Sequence, residues 1–143
     1  MKTKLFAVRS YIPSVNFTLL LLRVVFGLAM MLHGWGKIQA PMNWMGPDSP
    51  VPGFLQFLAA FSEFGGGFAI MIGLLTPLAA LGMSITMLVA VGMHAFMFGD
   101  PFVASGAGKG SYEPALMYFV LSLFLMTAGP GKHSLDRMFF GVK

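Results

Sequence analysis

Arg23, Glu63 and a group made of His33, Lys37, His94, Asp100, Tyr112 and Glu113 are the side chains here that could move protons or hold a polar ligand. Histidine titrates near neutral pH, lysine donates as a point charge, and a carboxylate accepts from both. Together they suit general acid–base work, a ring with polar substituents such as a quinone head group, or a metal. No HxxxH or HExxH spacing is present, which argues against a metal centre. Haem between His33 and His94, or copper on His94 with Met83 and Met87 (and Met30 and Met31 flanking His33), are weaker readings. Two histidines are few, and methionine is ordinary packing material in apolar bundles. The plain alternative is that Lys37 and the histidines snorkel to lipid head groups. Cysteine is absent, which excludes disulfides, CxxC chemistry, Cys-ligated zinc, iron–sulfur clusters and covalent c-type haem. Any redox work therefore needs a bound cofactor or a quinone to carry electrons.

The elements that must position these groups are membrane helices. Of 143 residues, 57% are hydrophobic and only 10% charged, with mean hydropathy +0.79. A soluble domain of this length needs more polar surface. The net charge of +4 carries no Lys/Arg-rich run with interleaved aromatics, so nucleic acid is discarded as a partner. The basic start "MKTKLFAVRS" opens an apolar run too long for a signal peptide and without a small-x-small cleavage site, and reads as a retained signal anchor. Segments at about 15–35, 54–75, 78–98 and 113–129 each have the length and apolarity to cross a bilayer. Between them, "QAPMNWMGPDSPVPG" has four prolines, "TP" at 76–77 makes a tight turn, and "GDPFVASGAGKG" is Gly-rich. The tail "GPGKHSLDRMFFGVK" reads as a break followed by a short amphipathic segment, with Leu135, Met138 and Phe139 at the interface. Lys2, Lys4 and Arg9 precede the first span, and Lys132, Arg137 and Lys143 follow the fourth. By the positive-inside rule both termini are cytoplasmic and the two longer loops face outward. The expected fold is an all-α integral membrane protein, a four-transmembrane-helix bundle in one domain over residues 1–143.

Two charges fall inside these spans. Arg23 in the first and Glu63 in the second reach similar, near-central depths if the helices run antiparallel, and are expected to face each other. Such a pair is either a structural lock on helix register or a proton-relay or substrate-polarising carboxylate held near an arginine. Gln56 lies one heptad outward of Glu63, and Ala59, Ala60, Gly66 and Gly67 share its stripe, so this face should point inward. Glu113-Pro114 fits an N-cap followed by proline at the first helical position.

Several stretches together are distinctive: "LLLRVVFGLAMMLHGWGKI", "FLAAFSEFGGGFAIMIGLLTPLAAL" and "SYEPALMYFVLSLFLMTAGPGKHSLD". They resemble the DoxX family of small four-span bacterial inner-membrane proteins, over nearly the whole chain after residue 15. The family pattern maps onto Arg23, His33, Gly34, Lys37, Glu63, Gly66 and Glu113. The resemblance implies a membrane oxidoreductase component, by analogy with the membrane subunit of a thiosulfate:quinone oxidoreductase, and for some members a link to oxidative or electrophile stress. A fold-level analogy names no substrate.

The leading expectation is a membrane component of a quinone-linked oxidoreductase system. A quinone would sit between helices near the outer face, its carbonyls met by His33, Lys37, His94 and Gln56, with Glu63, Glu113 and Arg23 handling protons. Partners would be the lipid bilayer, the quinone, a soluble redox protein and a second copy of the chain. The alternatives are a non-catalytic anchor or assembly partner for a soluble oxidoreductase, and a small-solute or metal transporter. No GxGxxG lies in a strand–helix context, so dinucleotide binding is out.

Overall fold

A computed structural model describes residues 6–142; Lys2, Lys4 and Lys143 lie outside the described residues. Four helices form the body: α1 (Pro13–Gln39), α2 (Gly53–Ile72), α3 (Thr76–Met97) and α4 (Glu113–Ala128), with a short α5 (Leu135–Phe140) beneath them. The described residues contain no strand; the one β-bridge joins Val8 to Val142. α1, α2 and α3 are each long and apolar enough to cross a membrane, whereas α4 is a shorter apolar helix.

Proline writes most of the helix starts. Pro13 stands at the first turn of α1, Pro77 at that of α3 and Pro114 at that of α4, positions where its missing N–H is no loss. The α4 start sits one residue earlier than the Glu113 N-cap expected: Tyr112 is the N-cap and Glu113 the first helical residue. The Glu113 N–H donates to the Phe102 carbonyl, so the loop supplies what a cap would. α1 outruns the expected 15–35 at both ends, stopping only at Ala40, whose backbone leaves the helical region ahead of Pro41.

Glycines set how α1 meets α2. A Cβ at Gly27 would come within 2.5 Å of the Gly67 carbonyl oxygen, and one at Gly34 within 2.6 Å of the Phe64 nitrogen. Two glycines a heptad apart thus let the backbones touch, as small-residue stripes do between membrane helices. α4 packs along α3, and Leu19, Phe26, Met30, Ile70, Ala80, Met83, Met87 and Leu125 form the apolar core. The methionines weighed for copper, Met30, Met83 and Met87, are packing residues of this core.

The bundle is inverted relative to a soluble one. Asn16, Arg23, Gln56, Glu63, Ser84, Ser122 and Asp136 are buried, while Leu21, Val25, Leu32, Leu78, Ile85, Leu88 and Val120 stand on the outside. Apolar exteriors over three long helices belong in lipid.

The glycine contacts also overturn the expected Arg23–Glu63 pair. Gly34 is the α1 residue opposite Glu63, whereas Arg23 lies opposite Gly73, at the far end of α2. Eleven residues separate Arg23 from Gly34, about 16 Å along a helix. Hydropathy marks where a span lies in the chain but leaves its register against a neighbour undetermined. The Arg23 Nη2 donates instead to the His133 carbonyl at 2.5 Å.

That contact is part of a polar latch at the terminal end. The Asp136 carboxylate accepts from the Leu75 and Thr76 N–H groups at 2.6 and 2.8 Å, and its own N–H donates to the Gly73 carbonyl. Leu75 has φ +47°, a conformation that disfavours a side chain, and the two bonds from Asp136 hold it there. Asn16 donates to the Tyr11 and Ile12 carbonyls and accepts from the Lys132 N–H. Ser134 caps α5 by accepting from the Arg137 N–H. Of the three tail residues expected at the interface, Met138 and Phe139 are exposed on α5 and Leu135 is half-buried.

Candidate functional site

The opposite, loop end holds most of the chemistry. Lys37 follows Gly34 by one turn, so both lie on one face of α1. The backbone contact at Gly34 therefore brings Lys37 to Glu63, and Lys37 Nζ donates to Glu63 Oε1 at 2.5 Å. The Glu63 side chain is 4% exposed and that of Lys37 26%. Glu63 Oε2 is buried and has no hydrogen-bond partner. Beside a lysine ammonium, this oxygen can only accept.

Glu63 stands in a π-helical turn, Ser62–Gly66, and His94 in another, Met93–Met97. Such turns insert one extra residue into a helix and are frequent at functional sites. On α3 the second turn sets His94 beside the loop that follows. His94 Nδ1 lies 2.7 Å from Asp100 Oδ2. In the neutral ring Nδ1–H donates to the Asp100 carboxylate, and Nε2 is left as the free nitrogen.

Met30, His33, Lys37, Glu63, Met87, His94, Lys109 and Tyr118 share the wall of one cavity of about 350 Å³, a volume in the range of small-molecule sites. His33 meets the Tyr118 ring edge-on, with centroids 5.7 Å apart. Lys37 also packs against the Trp44 ring, 4.5 Å from its centroid, so the loop 40–52 covers the pair. Among the described residues no three His, Asp or Glu side chains lie close enough together to hold a metal ion.

Of the residues chosen from sequence, His33, Lys37, Glu63 and His94 meet here, and three do not. Arg23 is at the other end of α1. Gln56 is spent on the loop: its Oε1 accepts from Met45 N–H, its Nε2 donates to the Val51 carbonyl, and its own carbonyl accepts from Trp44. Glu113 is passed over, since α4 lines the cavity with Pro114, Ala115 and Tyr118. Sequence reasoning missed Tyr118 and the coupling of Asp100 to His94. The available signal for Tyr118 was a polar tip within an apolar helix, one turn beyond Pro114.

The DoxX family profile matches residues 18–98, more than half of the chain. The chain belongs to the DoxX family. The matched stretch includes Lys37, Glu63, His94 and both π-turns; Tyr118 and the polar latch of the tail lie outside it. The DoxX chain is 36% identical over 126 residues to the inner membrane protein YqjF of Escherichia coli, covering 83% of this chain and 89% of that one. It is 30% identical over 133 residues to an uncharacterised protein of Haemophilus influenzae, covering 87% and 92%. No solved structure matches it. With three helices able to cross a membrane, the chain is a multi-pass protein of the bacterial inner membrane.

Proposed function

We propose that this DoxX-family protein is the membrane component of a quinone-linked redox system, and that its loop-end cavity holds a quinone-type head group. The observation that carries this reading is the unpartnered Glu63 Oε2 in a cavity that also presents Lys37, His94 and Tyr118. A carboxylate oxygen buried without a donor is costly, and a bound group that donates to it recovers that cost. The six-membered ring of a quinone suits a slot walled by Met30, Met87 and Tyr118, and its two oxygens need polar partners on both sides. Electrons come from or go to a partner protein, and the described chain supplies the head-group site and the proton-handling side chains.

In this reading α4 is the fourth span and both termini are cytoplasmic. Its 16 residues rise about 24 Å, a few Å short of a hydrocarbon core of about 30 Å. Local thinning and flanking interfacial side chains absorb such a mismatch. Arg9, Lys132 and Arg137 gather at the terminal end, in keeping with positive-inside sorting. The chain has no cysteine, so single cysteines can report sidedness: Ser105→Cys is expected to react with a membrane-impermeant maleimide from outside intact spheroplasts, and Arg137→Cys only after lysis. The opposite pattern overturns the topology.

The functional test is calorimetric titration of duroquinone and its reduced form into the full chain in nanodiscs, with empty nanodiscs subtracted. Saturable binding by at least one form is expected, weakened about tenfold or more by His94→Ala and unaffected by Arg9→Gln at the far end. Heat no different from the empty discs would leave the anchor reading in its place.

A further inference from the structure

The quinone-type reading leaves the oxidation state of the favoured ligand undetermined, and the cavity's hydrogen-bonding groups bear on it. Resting on that reading, we infer that the cavity selects the hydroquinone over the quinone, because its buried carboxylate oxygen is an acceptor without a donor. Glu63 is 3% exposed, its Oε1 is taken by Lys37 and its Oε2 has no partner. Among cavity-lining side chains, this is the buried polar atom left unsatisfied.

The second acceptor is the histidine. Because Asp100 occupies His94 Nδ1 at 2.7 Å, the neutral ring has only the Nε2 lone pair to offer a ligand. A quinone's oxygens only accept. Set against Glu63 Oε2, a carbonyl oxygen meets a second lone pair and leaves the carboxylate unsatisfied. A hydroquinone donates two O–H bonds, one to Glu63 Oε2 and one to His94 Nε2. A site whose buried acceptors lose their donor discriminates strongly against the analogue lacking it. Lys37 does not reverse this preference: its ammonium is committed to Glu63 and to the Trp44 face. Lys109 also lines the cavity but is exposed, so water can meet its ammonium instead.

The discriminating property is thus the free oxygen of Glu63. Asp100 acts through His94 as a positioning residue that sets its tautomer. The class of ligand this fits is a small aromatic ring carrying two hydroxyl groups.

The test compares duroquinone with durohydroquinone, the latter held reduced under argon, by calorimetry on the full chain in nanodiscs. The hydroquinone is expected to bind at least about tenfold more tightly. In Glu63→Gln, whose amide supplies both a donor and an acceptor, that preference should shrink to near unity. The wild-type comparison stands even if the variant fails to fold. Equal affinities, or tighter quinone binding, would overturn the inference while leaving the head-group site in place. A preference that persists in a folded Glu63→Gln protein would overturn the assignment to Glu63. Absence of saturable binding by either form removes both this inference and the reading on which it rests.

Discussion

The two ends of this bundle bury similar chemistry and treat it differently. At the terminal end, Asp136 has both carboxylate oxygens bonded to N–H groups and Asn16 has partners for its amide on both sides. At the loop end, Glu63 keeps one oxygen free beside a cavity. Arg23 and Thr76 are the exceptions at the closed end: Arg23 Nε and Nη1 are unpartnered although Asp136 supplies opposing charge, and so is the Thr76 hydroxyl. A carboxylate whose lone pairs are all used holds chain segments together. One with a lone pair to spare, facing space, is equipped to meet a ligand. Charge and burial alone do not separate the two roles.

The largest effect should come from breaking the closed end. Asp136→Ala removes two hydrogen bonds at the α2–α3 turn and the countercharge near Arg23, and is expected to cost about 3–5 kcal/mol. Unfolding by a denaturing detergent would measure it, and a loss under about 1 kcal/mol would contradict the latch. At the open end, Lys37→Met should cost about 3 kcal/mol, because it strands the Glu63 charge in a buried site. Adding Glu63→Gln to Lys37→Met should restore most of that loss, in a double-mutant cycle with clear coupling. Additive losses would mean that the two do not pair. Pairing Arg23→Met with Glu63→Gln should show no such coupling, since the two residues occupy opposite ends.

Next in size is Gly34→Ala. Its methyl would press on the Phe64 and Glu63 backbone, so about 1–3 kcal/mol is expected, together with weaker ligand binding as Lys37 is levered off Glu63. The smallest effect is Gly36→Ala. Nothing lies within 4 Å of a Cβ there, and removing a mid-helix glycine should stabilise by up to about 1 kcal/mol with ligand binding unchanged. A destabilised Gly36→Ala would mean that this face of α1 packs against another chain in the membrane.

The helices were largely legible in the sequence because lipid imposes a simple requirement: about 20 apolar residues, interrupted where proline and glycine cluster. Four of the seven candidate residues read from sequence line the loop-end cavity, as polar groups placed toward one end of their spans. The other three lie outside that cavity for separate reasons. Arg23 was matched to Glu63 by depth, and depth estimated from hydropathy tolerates errors of several residues. Gln56 looks like a ligand-facing amide until a loop with no helical signature folds back and uses all its groups. Glu113 is adjacent in sequence to cavity residues, but its neighbours Pro114 and Ala115 take the lining positions.

Composition, the spacing of prolines and the absence of cysteine determined by themselves that this is a helical membrane chain without thiol chemistry. The sequence also carried the two motifs Gly-Leu-Leu-Thr-Pro and Ser-Leu-Asp, but gave no sign that they touch. Only the tertiary structure decided that Asp136 caps the α2–α3 turn, that Lys37 rather than Arg23 pairs with Glu63, and that Asp100 orients His94. The reason is physical. Insertion into lipid depends on the summed hydrophobicity of a segment, a property of the local chain. Partner choice depends on the register of one helix against the next, which the close contacts at Gly27 and Gly34 fix to within a turn.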